Sequence, residues 1–218
     1  MFYEFFRVFA TLSGYPFLWL YFKHKIYYEN ESVSKKVRGK GALVISNHFS
    51  FKDYIVNMFI FFPRKLYVVA SEYSFHNALI RFGMKFWGGI EANRITKSPR
   101  FMVQSIREIK KGHMVQIFPE GHNTDDGTIH DFYPSYILIA LRAGTSIIPV
   151  VTDGNYGWFK RVHVLIGESI DLSQYASSPK PDKEEIGRLN DMVRQKVLEL
   201  REELDLRIRK DKAKRKKT

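Results

Sequence analysis

Six short runs rich in apolar residues recur along the chain, at 42–46, 66–70, 89–92, 114–118, 146–151 and 162–166, with helical patterns between them. Runs of this length suit strands, and strands alternating with helices build an α/β fold. The expected architecture is a single mixed, largely parallel sheet flanked by helices. Ser98-Pro99 opens one helix, with proline at the first helical position, and Gly112 after Lys110-Lys111 closes it. Another helix is expected from 53 to about 61, with Asp53 on its first turn, where the helix dipole favours a carboxylate. Ile186, Leu189, Val193, Val197, Leu200 and Leu204 recur at helical spacing and predict a last helix lying on the sheet. Gly39-Lys40-Gly41 precedes a strand rather than following one, so it is no dinucleotide fingerprint. The sequence also has neither a Gly-x-Ser-x-Gly elbow nor a phosphate-binding P-loop.

Open α/β sheets bind ligands at the carboxyl ends of their strands, and two of these runs end in polar residues. Asn47-His48-Phe49-Ser50-Phe51-Lys52-Asp53 follows the first run and sets a histidine and an aspartate five positions apart. A histidine titrates near neutrality and can take a proton from a weakly acidic hydroxyl. An aspartate on its other ring nitrogen would fix the tautomer and stabilise the imidazolium. Such a pair needs no serine, cysteine or threonine nucleophile, and it suits direct attack by a substrate hydroxyl on an activated acyl group. The spacing alone also fits a histidine that merely satisfies a loop. The second block, Val115-Gln116-Ile117-Phe118-Pro119-Glu120-Gly121, again carries a strand into a turn bearing an acidic residue.

Asn47-His48-x-x-x-x-Asp53 followed by Phe118-Pro119-Glu120-Gly121 resembles the glycerolipid acyltransferase family, best known for the 1-acylglycerol-3-phosphate (lysophosphatidate) acyltransferases. Two further blocks fit in order. Gly88-Gly89-Ile90-Glu91-Ala92-Asn93-Arg94 resembles the family's glycine-led strand ending in arginine, and Ile147-Ile148-Pro149-Val150 its late apolar block with proline. The resemblance runs from about 41 to 154. It implies that His48 is the general base that deprotonates the acceptor and Asp53 its orienting partner. The substrate-binding residues it implies are Asn47, Ser50, Arg94, Phe118, Pro119, Glu120, Gly121 and Pro149. Arg94 would bind the acceptor's phosphate, a role suited to a planar fork of donors. Glu120 and Gly121 would hold the acceptor or shape the site floor, and Pro149 would belong to the acyl-donor side. Ser50 reads either as a hydrogen-bond donor or as an ordinary turn serine. An acyl-CoA or acyl carrier protein thioester is the implied co-substrate, a lysophospholipid the acceptor, and neither metal nor cofactor is called for.

One stretch departs from the family. Its members commonly follow Phe-Pro-Glu-Gly with a threonine or serine and then an arginine; this chain has His122-Asn123-Thr124-Asp125-Asp126-Gly127. Either Arg94 acts with another cation, such as Lys52, Lys85 or Lys97, or the acceptor differs from plain lysophosphatidate. The Asp125-Asp126-Gly127 run lacks calcium-loop spacing and reads as a turn.

The absence of cysteine excludes disulfides, thiol nucleophiles and thiolate zinc sites. A formal net charge of +12 points to an anionic partner, and Arg207, Arg209, Lys210, Lys212, Lys214, Arg215, Lys216 and Lys217 concentrate it at the carboxyl end. Such a run is either a solvated tail or a contact to anionic head groups. Between Arg7 and Lys23 no charge occurs, and the segment is heavily aromatic. As a helix it would reach about 22 Å, short of the roughly 30 Å hydrocarbon core, and Pro16 should interrupt or kink it. The expected organisation is therefore 1–27 as a helical segment at the membrane interface, 28–205 as the catalytic domain, with 177–181 a linker inside it, and 206–218 as a basic tail. The expected location is the cytoplasmic face of the cell membrane. Three rivals share parts of this pattern: a His-Asp hydrolase, a silent lipid-binding relative and a nucleic-acid-binding module. The last would interleave its aromatic and basic residues, which here stand at opposite ends.

Overall fold

The structure, a computed structural model, describes residues 2–36, 41–93, 98–175 and 181–215. Among them seven strands form one sheet: β1 (Lys25–Tyr28), β2 (Ala42–Ser46), β3 (Leu66–Ser71), β4 (Gly89–Ala92), β5 (Met114–Ile117), β6 (Ile147–Thr152) and β7 (His163–Ile166). Their spatial order is β1-β7-β6-β2-β5-β3-β4. Strands β2 to β6 run parallel, β7 is antiparallel to β6, and β1 lies parallel to β7. The mixed, mostly parallel sheet expected from the alternation is therefore present. β1 is an addition: Lys25-Ile26-Tyr27-Tyr28 merges in sequence with the apolar segment before it, and its extended form comes from pairing with β7.

Helices α1 (Phe2–Phe22), α3 (Phe51–Ile60) and α4 (Ala78–Trp87) cover one face of the sheet, with the short α2 (Glu31–Lys36) near β1. Helices α5 (Arg100–Lys110), α6 (Ser135–Ala143) and α7 (Lys183–Arg215) cover the other. β2 shows why both faces need covering. Leu43 and Ile45 join the core under α5 to α7, whereas Ala42 and Val44 join the core under α1, α3 and α4. All five of its residues are buried, as an apolar run without alternation requires. A fully buried side chain of the size of Leu43 stabilises by about 1.5–3 kcal/mol relative to an exposed one.

α1 packs through one stripe. Arg7, Thr11 and Phe22 are buried and Gly14 and Leu18 half-buried, at helical spacing. The opposite face leaves Phe9, Leu12, Tyr15, Phe17, Trp19 and Leu20 exposed. Pro16, expected to interrupt the segment, lies inside a continuous helix. It sits on the exposed side, where one missing backbone bond leaves a carbonyl in solvent rather than in the core. Among the described residues no helix is long and apolar enough to cross a membrane.

Residues 206–215, where a basic tail is expected, continue α7. The apolar stripe extends one turn past Leu204 to Ile208, which is buried. Arg207 donates to the carbonyls of Tyr28 (3.0 Å) and Glu29 (3.3 Å), and Asp211 accepts from Lys25 and Tyr27. Acidic residues interleaved with the basic ones thus tie this stretch to edge strand β1. The expected linker at 177–181 lies outside the described residues apart from Pro181.

Candidate active site

Five parallel strands end on one edge of the sheet, and the turns leaving β2, β5 and β6 meet there. The turn after β2 is set by helix-start chemistry. Ser50 caps α3, its hydroxyl accepting from the Lys52 amide, while the Asp53 carboxylate reaches back to the Ser50 amide at 2.7 Å. This reciprocal capping box fixes the chain entering the helix. The same Asp53 Oδ2 accepts from the Phe49 amide (2.8 Å) and lies 3.0 Å from His48 Nδ1. Since an ionised carboxylate only accepts, Nδ1 carries the ring proton and Nε2 keeps its lone pair. His48 and Asp53, five residues apart, therefore form the pair that the spacing implied.

Tyr156 was not singled out in the sequence. It stands in the loop after β6, and its hydroxyl donates to Asp53 Oδ1. Burial, and then the Asp53 charge, push its phenol well above the ordinary tyrosine range, so it remains a donor at any working pH. The available signal was positional: Asp153-Gly154-Asn155-Tyr156 leaves a strand on the same edge as His48. Gly154 is needed there, with φ +65° and a would-be Cβ only 2.5 Å from the Phe49 ring.

The loop after β5 holds the backbone of His48 from both sides. Glu120 Oε1 accepts from the His48 amide (3.1 Å), and the Thr124 amide donates to the His48 carbonyl (2.8 Å). The other oxygen, Oε2, accepts from the His130 amide at 2.9 Å. Glu120 is fully buried, and burial raises its carboxyl pKa against the lowering effect of these two amides. Both of its oxygens thus bond main chain. Phe118, just past the end of β5, stacks on the His48 ring with centroids 3.7 Å apart. Gly121, at φ +73°, makes the turn that follows. Asn47 exchanges two hydrogen bonds with the Thr152 backbone (3.0 and 2.9 Å), pinning the end of β2 to that of β6. Pro149 is buried inside β6, opposite Ile45 of β2, and lines neither of the cavities below. Its carbonyl accepts from Gly167 where the β6–β7 ladder is interrupted, so the missing amide falls in a gap.

His48 lines an open cleft of about 370 Å³ together with Phe51, Val69, Phe118, Gly121 and Asn123. A second, mostly apolar space of about 520 Å³ adjoins it, sharing Val69, Phe118 and Gly121 and reaching Asn93, Phe101 and Pro119. Arg94 and Lys97 lie outside the described residues, as does the side chain of Lys85, although Asn93 brings the chain to the wall of the second space. Lys52 sits 5.8 Å from the ring centroids of both Tyr21 and Tyr156. His122 and Asn123, which replace the usual threonine or serine and arginine, both line the first cleft.

Tyr156→Phe is expected to lower kcat about tenfold with both substrate KM values unchanged. A hydrogen bond to a charged group contributes about 1.5–3 kcal/mol, and this one acts on Asp53 rather than in the cleft. Steady-state kinetics and a thermal melt check it. A lowered Tm with kcat preserved would make Tyr156 a structural strut instead of a positioning residue.

The chain is similar to known proteins in sequence and in fold. The family model described as Acyltransferase matches residues 25–153, from β1 through the end of β6. A 1-acyl-sn-glycerol-3-phosphate acyltransferase of Haemophilus influenzae is 26% identical over 202 residues, covering 87% of this chain and 80% of that protein. One from Borreliella burgdorferi is 25% identical over 173 residues, covering 72% and 67%. Among solved structures, the fold is similar to the crystal structure of the 1-acyl-sn-glycerophosphate (LPA) acyltransferase of Thermotoga maritima. The TM-score is 0.60, at 22% identity over 85% of this chain and 75% of that one.

Proposed function

The chain belongs to the acyltransferase family, and on that basis we propose that it moves a fatty acyl group from acyl-CoA or acyl carrier protein to the free hydroxyl of lysophosphatidate, giving phosphatidate. The observation that carries this reading is the His48–Asp53 pair, with the imidazole on an open cleft beside a larger apolar space. In the proposed reaction, His48 Nε2 takes the acceptor hydroxyl proton as the oxygen attacks the thioester carbonyl. The tetrahedral intermediate collapses, the carbon–sulfur bond breaks, and the imidazolium returns its proton to the departing thiolate. Asp53 carries the charge that makes the imidazolium favourable. The names of the relatives support lysophosphatidate as acceptor, whereas Asn123 in place of the usual arginine favours a different lysolipid as the second reading.

α1 is proposed to lie in the membrane interface with its exposed apolar face toward lipid and Lys23 at head-group level. The same reading puts the protein on the cytoplasmic face of the membrane, where thioester carriers are found.

The test is transfer of labelled acyl groups to lysophosphatidate, glycerol 3-phosphate, lysophosphatidylcholine and lysophosphatidylglycerol. Preference for lysophosphatidate supports the assignment, and preference for another lysolipid supports the second reading. Free fatty acid without transfer would sink both in favour of a hydrolase. Arg94→Ala is expected to raise the KM for a phosphate-bearing acceptor about tenfold or more, since a charge-assisted phosphate contact contributes about 1.5–3 kcal/mol. The donor KM should hold steady; equal rises in both would make Arg94 structural.

A further inference from the structure

The loop that delivers Tyr156 to Asp53 carries, two and three residues on, a pair of large aromatic side chains that the reaction does not use. Phe159 is 100% exposed and Trp158 is 58% exposed. Neighbouring exposed rings of this size mark a contact surface. The loop leans on the end of α1. Trp158 packs edge-on against Tyr21 (5.1 Å between centroids), Tyr156 packs against Phe22 (5.7 Å), and the Val162 amide donates to the Phe22 carbonyl (3.1 Å). Trp158 and Phe159 therefore adjoin the last turns of α1, where Phe17, Trp19 and Leu20 are also exposed. Lys160 and Arg161 follow directly. Asp153, at the start of the same loop, is engaged with His163, and Asp211 with Lys25 and Tyr27.

We propose that residues 157–161 form a second lipid-contacting element, which inserts Trp158 and Phe159 into an anionic bilayer beside α1 and leaves Lys160 and Arg161 at the head groups. The proposal rests on the membrane reading of α1 and extends it to a separate part of the chain. A bilayer fits better than an acidic protein. Apolar side chains from two elements about 140 residues apart make one surface, and the basic residues flank it rather than interleave with it. Aromatic rings beside lysine and arginine also match the composition of the membrane–water boundary.

The experiment is co-sedimentation of the full chain with vesicles of phosphatidylcholine and phosphatidylglycerol. Trp158→Ser/Phe159→Ser is compared with Phe17→Ser/Leu20→Ser on α1. The loop variant is expected to bind at least tenfold more weakly, with an unchanged melting temperature and unchanged transfer to a detergent-dispersed acceptor. Phe159→Ser alone, at a fully exposed position, carries the same test should the double variant misfold, with a severalfold loss expected. Weakened binding by the α1 variant but not by either loop variant overturns the loop proposal and leaves the α1 reading standing. Failure of the wild-type chain to bind the vesicles overturns both.

Discussion

His48→Ala is expected to lower kcat by roughly 10²–10⁴-fold, the usual contribution of a positioned general base, while the protein stays folded. The expectation comes from how little of the architecture depends on the imidazole. The bonds that hold this residue's position run through its backbone, to Glu120 and from Thr124, and alanine keeps both. Asp53 would still accept from the Phe49 and Ser50 amides and from Tyr156, so no buried carboxylate is stranded. What disappears is the stack on Phe118 and the ring, held by Asp53 through Nδ1, that lines the cleft. Transfer assays beside a thermal melt check this. Turnover within about tenfold of wild type would remove His48 from the reaction, because a base cannot be dispensable when hydroxyl attack limits the rate. A collapsed melting curve would instead show that the imidazole itself holds the turn.

The pair was legible because its geometry is local. A strand ending near Ser46 and a helix carrying Asp53 on its first turn were legible within eight consecutive letters. The helix nevertheless starts at Phe51 rather than 53, and Ser50, read as a donor or a turn serine, proves to be its cap. The partners that fix the pair were not. Tyr156 reaches Asp53 across 103 positions and Glu120 reaches His48 across 72, and no local pattern announces either contact. The resemblance implied that Glu120 holds the acceptor or shapes the site floor, and the sequence could not choose, because a carboxylate whose two oxygens are bonded to amides looks the same there as one facing a ligand. Strand limits were legible to within about a residue where both faces are apolar, as in β2, and β1 was missed because edge pairing rather than composition makes it extended. In the same way, the charge of residues 206–215 concealed Ile208 and Asp211, which together with Arg207 bind the last turns of α7 to the domain.

Asp53→Asn is expected to lower kcat on the order of a hundredfold, since an adjacent opposite charge favours the charged form of its partner by about 1–3 pKa units, at little cost in stability. The asparagine has one way to sit. Three N–H groups, from His48, Phe49 and Ser50, converge on Oδ2, so the amide oxygen must take that place and the NH₂ must turn toward Tyr156, whose hydroxyl can rotate to accept. The tautomer that leaves Nε2 unprotonated therefore survives, as does the capping box. Only the negative charge is lost, and with it the stabilisation of the imidazolium that forms as the acceptor hydroxyl gives up its proton. Asp53→Ala removes the architecture as well, leaving buried amides unpaired at about 1–3 kcal/mol each, so it should lower both kcat and Tm. The contrast between the two variants separates the roles of this residue. If Asp53→Asn loses no more than the tenfold expected of Tyr156→Phe, the charge at Asp53 does no chemistry and the residue serves only to start the helix. If it loses a hundredfold while its melting temperature holds, the carboxylate acts in the transition state itself.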